Sequence, residues 1–294
     1  MLVTMKEILD HANKGNYGVI APNVSSELDV RAAIEAAEEL KAPMILDVGY
    51  SANPDIIAFG RIIIDLCVRS SVPCCINLDH GAKYEHAMAA IRAGFTSVMV
   101  DRSTLPYAEN VKEVSEIVKV AHAVGVSVEA ELGHVGQGSN YAVDRDAAMT
   151  NPEEAKRYIE ETGVDCLAVA IGTAHGAYVG TPTLDFDRLI AIKKTVGIPL
   201  VMHGGSGSGD ANIGKACTLG INKVNISNDL MVGARDALAK ADLSGNGAYG
   251  LWKIAKAGWK NRLKELMKVV GSEGKAWIPA LTGTPGAEME LEEK

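Results

Sequence analysis

The sequence predicts an α/β chain folded as a (β/α)8 TIM barrel, and three observations carry that expectation. Short β-branched runs alternate with helix-period segments, eight such units fit within about 250 residues, and no Pro-, Gly- or Ser-rich linker divides them. The runs are continuously apolar, which marks a parallel sheet covered by helices. A doubly wound open sheet is the alternative. It asks for a glycine fingerprint after its first strand, where this chain has Asn23-Val24-Ser25-Ser26. Residues 1–294 are therefore expected to form a single barrel domain, with a C-terminal helical extension over about 248–271.

The elements follow in order. MLVTMKEILDHANKG reads as an amphipathic helix with acids inside it, unlike a signal peptide. YGVIAPN is the first strand, and Ser25 or Ser26 caps the helix ELDVRAAIEAAEELK. PMILDV, PCCINLDH, SVMVD and VSVEAEL are strands two to five. The helix NPEEAKRYIEETG leads to CLAVAIGTAH, the sixth, and PLVMH and NKVNIS complete the set. A further helix, LMVGARDALAK, a Gly-rich turn and the long amphipathic LWKIAKAGWKNRLKELMKVVG come last. That final helix is expected to pack on the barrel or on a second subunit.

Composition narrows the function. With 47% hydrophobic and 22% charged residues the chain can bury a large core. Its net charge of −8, with no Lys/Arg-rich block, argues against nucleic acid or an anionic membrane as partner. No apolar run reaches membrane-spanning length, so a cytoplasmic location is expected. The five cysteines form no CxxC pair and no disulfide-like framework, and read as thiols without a role.

The polar residues then sort by position. Asn23 ends the first strand, Asp79 and His80 the third, Asp101 the fourth, Glu131 the fifth, His175 the sixth, His203 the seventh and Asn225 the eighth. In a barrel those ends converge on one mouth, where such enzymes build their sites. One strand-end histidine is usually a hydrogen-bonded structural residue. Three with a carboxylate suggest a borderline divalent ion such as Zn²⁺. His80, Glu131, His175 and His203 are thus candidate metal ligands. Glu129 shares a face with Glu131 one step deeper, and would hold a ligand histidine in its tautomer or pair with Lys or Arg. His11, His86 and His122 fall in helical segments and read as ordinary packing or surface residues. HGGSGSG at 203–209 and NISND at 225–229 are loops of the kind that bind phosphate through backbone N–H groups.

Together, INLDHG, SVMVD, VEAELG, AVAIGTAHG, VMHGGSG and KVNIS, in that order over nearly the whole chain, resemble the class II, zinc-dependent ketose-bisphosphate aldolases, which include fructose- and tagatose-bisphosphate aldolases. The resemblance implies that His80, His175 and His203 bind catalytic zinc, with Glu131 a ligand in at least some states. Asp79 matches the acid/base at the C4 hydroxyl. Gly176, Gly204, Ser206, Ser227 and Asn228 match a cradle for the C1 phosphate and a monovalent cation (Na⁺ or K⁺), and Asn23 and Asn225 match substrate contacts. Asp101 and Glu129 would support the ligands from behind. The implied reaction is reversible C3–C4 cleavage of a ketose 1-phosphate, or ketose 1,6-bisphosphate, to dihydroxyacetone phosphate and an aldehyde, by a homodimer or homotetramer. A zinc-dependent sugar-phosphate isomerase or epimerase, and a non-catalytic partner subunit of a tagatose-type aldolase, are the alternatives. The latter would be expected to lose ligands, and this chain keeps all four.

Some positions depart from the family's pattern. The loop after Glu131 usually carries acids, where this chain has Gly138, Ser139 and Asn140, leaving His134, Tyr141, Asp144 or Asp146 as replacements. Arg102 stands where glycine is usual, Pro22 replaces an aromatic residue and Asn228 a threonine. Residues 244–250, SGNGAYG, lack the arginine that commonly holds a distal phosphate, so Lys253, Lys256 or Arg102 would have to supply that charge. No lysine sits at a strand end in a plainly apolar setting, which argues against covalent Schiff-base catalysis.

Overall fold

The computed structural model describes residues 1–136, 149–176, 178 and 182–278. Eight parallel strands make one sheet: β1 (Val19–Pro22), β2 (Met44–Val48), β3 (Cys74–Gly81), β4 (Ser97–Val100), β5 (Ser127–Leu132), β6 (Cys166–Val169), β7 (Leu200–Met202) and β8 (Ile221–Ile226). Each pairs with its sequence neighbour, and β1 pairs with β8. The remaining seam, between β1 and β2, is joined by the bridge Asn23–Asp47, with the Val24 N–H donating to the Asp47 carbonyl at 2.9 Å. That closes the barrel.

The helices among the described residues are α1 (Met5–Gly15), α2 (Glu27–Leu40), α3 (Ile56–Arg69), α4 (Tyr84–Ala93), α5 (Tyr107–Ala123), α6 (Pro152–Thr162), α7 (Phe186–Thr195), α8 (Asp210–Thr218), α9 (Asn228–Ala239) and α10 (Leu251–Val269). Local sequence sets their starts. Thr4 and Glu7 form a reciprocal capping box on α1, and Ser26 and Asp29 another on α2. Asn151 caps α6, with Pro152 at its first position. α10 packs against α2 and α9, and Trp259, Leu263, Leu266 and Met267 are buried beneath it.

Period two along the strands decides what faces the barrel interior. Val19 and Ala21 of β1, Ile45 of β2, Cys75 of β3, Cys166 and Ala168 of β6 and Val201 of β7 form one apolar cluster with Met5, Ile8, Leu9 and Ala12 of α1. Helix α1 therefore stoppers the N-terminal end, and each fully buried large side chain there stabilises the fold by about 1.5–3 kcal/mol. The same parity, continued toward the other end, turns Asn23, Asp47, Asn77, Asp79, Glu129, Glu131, His203, Lys223 and Asn225 inward. Outside the sheet, the opposite parity packs Ile20, Leu46, Ile76, Val98, Val128, Leu167 and Val224 under the helices.

Two elements differ from the sequence expectation. β6 stops at Val169 rather than running to His175, because the Ala170 N–H turns to Thr150 Oγ1 at 2.8 Å and the Ile171 carbonyl accepts from Asp185 N at 2.8 Å. β3 carries a register shift between Leu78 and Gly81, and His80 there has φ +48°, in the left-handed region. No helix of the described residues is long and apolar enough to cross a membrane.

Candidate active site

At the C-terminal mouth lies a cavity of about 210 Å³ lined by Asn23, Asp79, His80, Ala174, His175, Gly176, Gly204, Ser206, Asn225, Ser227 and Asn228. Sequence stretches separated by up to two hundred residues meet here. The barrel brings together the expected catalytic acid, two of the three histidines and every residue expected in the phosphate cradle. His203 stands wholly buried behind them.

The three histidines form one group whose candidate ligand atoms all lie within 4.8 Å of one another. His203 Nδ1 is 3.0 Å from His80 Nε2. Each ring is held by its other nitrogen: His80 Nδ1 against Asp101 Oδ2 at 2.8 Å, His203 Nε2 against Glu129 Oε1 at 2.7 Å, and His175 Nδ1 against the Val135 carbonyl at 3.1 Å. These acceptors take the outer ring protons and aim the other nitrogens inward. Between His80 Nε2 and His203 Nδ1 sits the proton that Asp79 and Asp101 keep on His80, and a metal ion would take its place. Ligands 2.0–2.1 Å from a tetrahedral zinc ion are separated by about 3.4 Å, so the donor set fits such an ion.

His175 reaches this group from a loop beyond β6, not from a strand end. Its N–H donates to the Gly136 carbonyl at 2.8 Å, which pins that loop to the one after β5. Glu131 groups with His80 and Asp101 rather than with all three histidines. Its Oε1 accepts from Val135 N at 2.9 Å, while its buried Oε2 has no hydrogen-bond partner. Burial first, then Asp101, push its carboxyl up to about 8. Burial would lower His80, but Asp79 and Asp101 push it up to about 10. Burial, then the charges of His203 and His80, push His175 down to about 4.

Asp79 is oriented by two amides: Asn23 Nδ2 donates to Oδ2 at 2.7 Å and Asn225 Nδ2 to Oδ1 at 3.1 Å. Burial opposes its ionisation, yet His80, His203 and Lys223 together hold its pKa below the usual range. It is an ionised carboxylate facing the cavity.

Gly204 has φ +64°, and a Cβ there would stand 2.3 Å from the Ala174 carbonyl oxygen. The cradle loop therefore needs glycine to lie against the His175 loop. Tyr178 ties both loops, accepting from Ala174 N at 2.6 Å and donating to the Gly204 carbonyl at 2.9 Å. Across the cradle, Ser206 Oγ accepts from Ser227 N at 3.0 Å.

Sequence reasoning missed the layer beneath. Lys223 is fully buried inside the barrel, 2.7 Å from Glu129 Oε2 and 3.3 Å from Asp47 Oδ2, and Asn77 Nδ2 donates to Asp47 Oδ1 at 2.8 Å. Lys223 lies within β8 and not at a strand end. Burial would lower its pKa, but Asp47 and Glu129 raise it, so it is a charged partner and not a free amine nucleophile. Its signal was a lysine two residues before Asn225, on the same inward parity.

The two paired candidates for a distal phosphate are otherwise engaged. Arg102 is buried, bonded to Glu113 and to the carbonyls of Gly81 and Asp101 at 3.0 and 2.8 Å. Lys256 pairs with Glu35. Lys253 is exposed on α10. His134 is at the mouth, its Nδ1 3.0 Å from Ser103 Oγ. Gly138, Ser139, Asn140, Tyr141, Asp144 and Asp146 lie outside the described residues.

Comparison with known proteins agrees with this geometry. Residues 3–275 match the family described as "Fructose-bisphosphate aldolase class-II". A fructose-bisphosphate aldolase of Thermus caldophilus is 42% identical over 94% of this chain and 100% of its own length. One from Geobacillus stearothermophilus is 38% identical over 94% and 99%. Among solved structures, the YdjI aldolase of Escherichia coli K12 superposes with a TM-score of 0.84 at 33% identity, covering 94% of this chain and all of that one. The chain belongs to the class II fructose-bisphosphate aldolases: it is a metal-dependent lyase that cleaves the C3–C4 bond of a phosphorylated ketose to dihydroxyacetone phosphate and an aldehyde.

Proposed function

We propose that the metal is zinc, held by His80, His175 and His203, and that the substrate is a ketose 1-phosphate whose far end is not a phosphate. The inward-facing imidazoles support the first part. His80, His175 and His203 would hold the ion, and Glu131, whose buried Oε2 has no hydrogen-bond partner, would be available as a further ligand. When bound, the ion supplies Lewis-acid stabilisation of the negative charge that develops on the keto half.

The protein's residues handle the rest. Asp79 takes the C4 hydroxyl proton as the C4 carbonyl of the aldehyde forms, and returns it in condensation. The electron pair of the C3–C4 bond stays on the keto half, whose carbon must then gain a proton. Asn23 and Asn225 orient Asp79 and contact the substrate. Gly176, Gly204, Ser206, Ser227 and Asn228 receive the phosphate, with Na⁺ or K⁺ as its counter-ion.

The lining of the cavity supports the second part: among the described residues it contains no Lys or Arg, Arg102 and Lys256 already have partners, and Lys253 is exposed on α10 outside that lining. A second phosphate is best held by a guanidinium fork. Fructose and tagatose 1,6-bisphosphates should therefore be poor substrates. The same proposal includes a cytoplasmic enzyme that assembles as a homodimer or homotetramer, for which exposed Tyr249 and Trp252 offer a surface.

Metal analysis and an aldehyde panel test this. Purified protein should carry about one Zn²⁺ per chain. EDTA should abolish turnover, and His203→Ala should lose both metal and activity. Turnover that survives EDTA in metal-free protein would refute the assignment. In condensation with dihydroxyacetone phosphate, non-phosphorylated aldehydes should match or exceed glyceraldehyde 3-phosphate. A tenfold advantage in kcat/KM for the phosphorylated aldehyde, about 1.4 kcal/mol of transition-state preference, would overturn the second part.

A further inference from the structure

One arginine of the terminal helix reaches both sides of the cradle. Arg262 on α10 places Nη2 2.6 Å from Asp210 Oδ1 and Nη1 3.0 Å from Asp210 Oδ2, a bidentate pair, and Nη2 also lies 3.1 Å from Asp229 Oδ2. Glu265, on its own helix, takes Nη1 at 3.2 Å. Asp210 is the first residue of α8 and Asp229 the second of α9. Those two helices begin where the loops at 204–209 and 225–227 end.

Asp229 belongs to the back wall of the cradle. Its Oδ1 accepts from Gly207 N at 3.0 Å, and its own N–H donates to Ser206 Oγ at 3.3 Å. A carboxylate so close to a phosphate site repels a dianion unless something cancels it. Asp210 adds a second negative charge beside the first. Only a cation bonded to both removes the repulsion without displacing the Asp229–Gly207 bond that shapes the loop.

We propose that Arg262 is a positioning residue that sets the affinity for the phosphorylated end of the substrate, by neutralising Asp210 and Asp229 and fixing the two cradle loops at one spacing. This rests on the phosphate being received in that cradle. It assigns to the helix after the barrel a part in substrate selection. It also explains why an arginine is buried to about three-quarters at the α8–α9–α10 junction, where an apolar residue would pack as well.

The test uses full-length, metal-loaded protein. Arg262→Met should raise KM for the phosphorylated ketose tenfold or more with kcat changed less than threefold, and should weaken binding of inorganic phosphate by calorimetry. Added salt should reduce that defect by screening. Arg262→Lys should recover part of the affinity. The triple change Arg262→Met, Asp210→Asn, Asp229→Asn should recover phosphate binding relative to Arg262→Met, an outcome that a purely packing role would not produce. Asp229→Asn alone should tighten phosphate binding, which keeps the test available if Arg262→Met fails to fold. The proposal is overturned if Arg262→Met lowers kcat with KM unchanged, if the triple variant binds no better than the single, or if Asp229→Asn weakens phosphate binding. Wild-type protein that binds inorganic phosphate but turns over no ketose 1-phosphate would instead count against the assigned reaction.

Discussion

Lys223 and Glu129 form an ion pair of 2.7 Å with neither side chain exposed, and it is this lysine that keeps Glu129 ionised beside His203. Burial alone would neutralise the carboxylate. The pair thus connects the floor of the barrel to His203, the imidazole buried behind the cavity lining.

Breaking that pair should be costly. Lys223→Met leaves Glu129 and Asp47 as buried carboxylates without their cation, a loss of about 3–5 kcal/mol. Thermal unfolding should show it. Glu129→Gln removes less, keeping shape and one hydrogen bond, and should weaken zinc affinity by about 10–100-fold in chelator competition while the fold persists. Unchanged metal affinity in Glu129→Gln would show that His203 needs no carboxylate behind it.

Asp79→Ala should retain zinc and lose cleavage by about 10²–10⁴-fold, the usual contribution of a positioned base. Metal content and single-turnover cleavage measured on one preparation check both halves of the statement. Normal turnover would mean that the C4 proton leaves by another route.

The proton that must reach the keto half gives a separate readout. Of the residues expected to replace the family's loop acid, His134 is the one among the described residues, exposed, bonded to Ser103 and 3.7 Å from Glu131 Oε1. Incubation of dihydroxyacetone phosphate in D₂O, followed by NMR, should show exchange of the carbon-bound proton that His134→Ala slows at least tenfold. Exchange indifferent to that change would move the role to another group.

Stability should depend on pH through Lys193, whose amino group donates to Asn13 Oδ1 at 2.6 Å and Asn222 Oδ1 at 3.2 Å. Burial lowers its pKa from 10.5 to about 8. Between those values the unfolded chain binds a proton that the folded chain does not, so stability rises with pH from about 8 toward 10.5. Tyr17, pushed by burial from 10.0 up to about 12, works the other way above pH 10, where only the unfolded chain loses its phenolic proton. Burial also raises the thiols of Cys75, Cys166 and Cys217, which oppose that rise above pH 9, so the readout is the difference between wild type and Lys193→Met: the wild type's advantage in denaturant midpoint should grow from pH 8 to 10.

The barrel was legible because its strands are continuous apolar runs and its helices begin at visible caps such as Ser26 and Asn151. His80, His203 and Asp79 were legible because each interrupts or ends such a run. His175 is legible as a ligand-type residue, but its place on a loop beyond β6 is not. The partners that pull its segment away from β6, Thr150 and Asp185, lie far along the chain and leave no local mark. Lys223 was hidden for a related reason: one lysine in a short strand looks like a surface residue until closure of the sheet turns its face inward. The engagement of Arg102 by Glu113 likewise depends on how the β4–α5 loop folds back along α5, not on the residues beside it.

The stopper formed by α1 has a kinetic corollary. With Met5, Ile8 and Leu9 backing the apolar end and the Lys223, Glu129 and Asp47 layer filling the barrel above them, the site is a dead-end street, and everything that enters must leave by the way it came. Traffic is therefore single file: the two fragments depart one after the other, and in condensation the second reactant arrives over the first. An ordered sequence of binding and release, visible in product-inhibition patterns, follows from an interior filled from α1 up to the Lys223 layer.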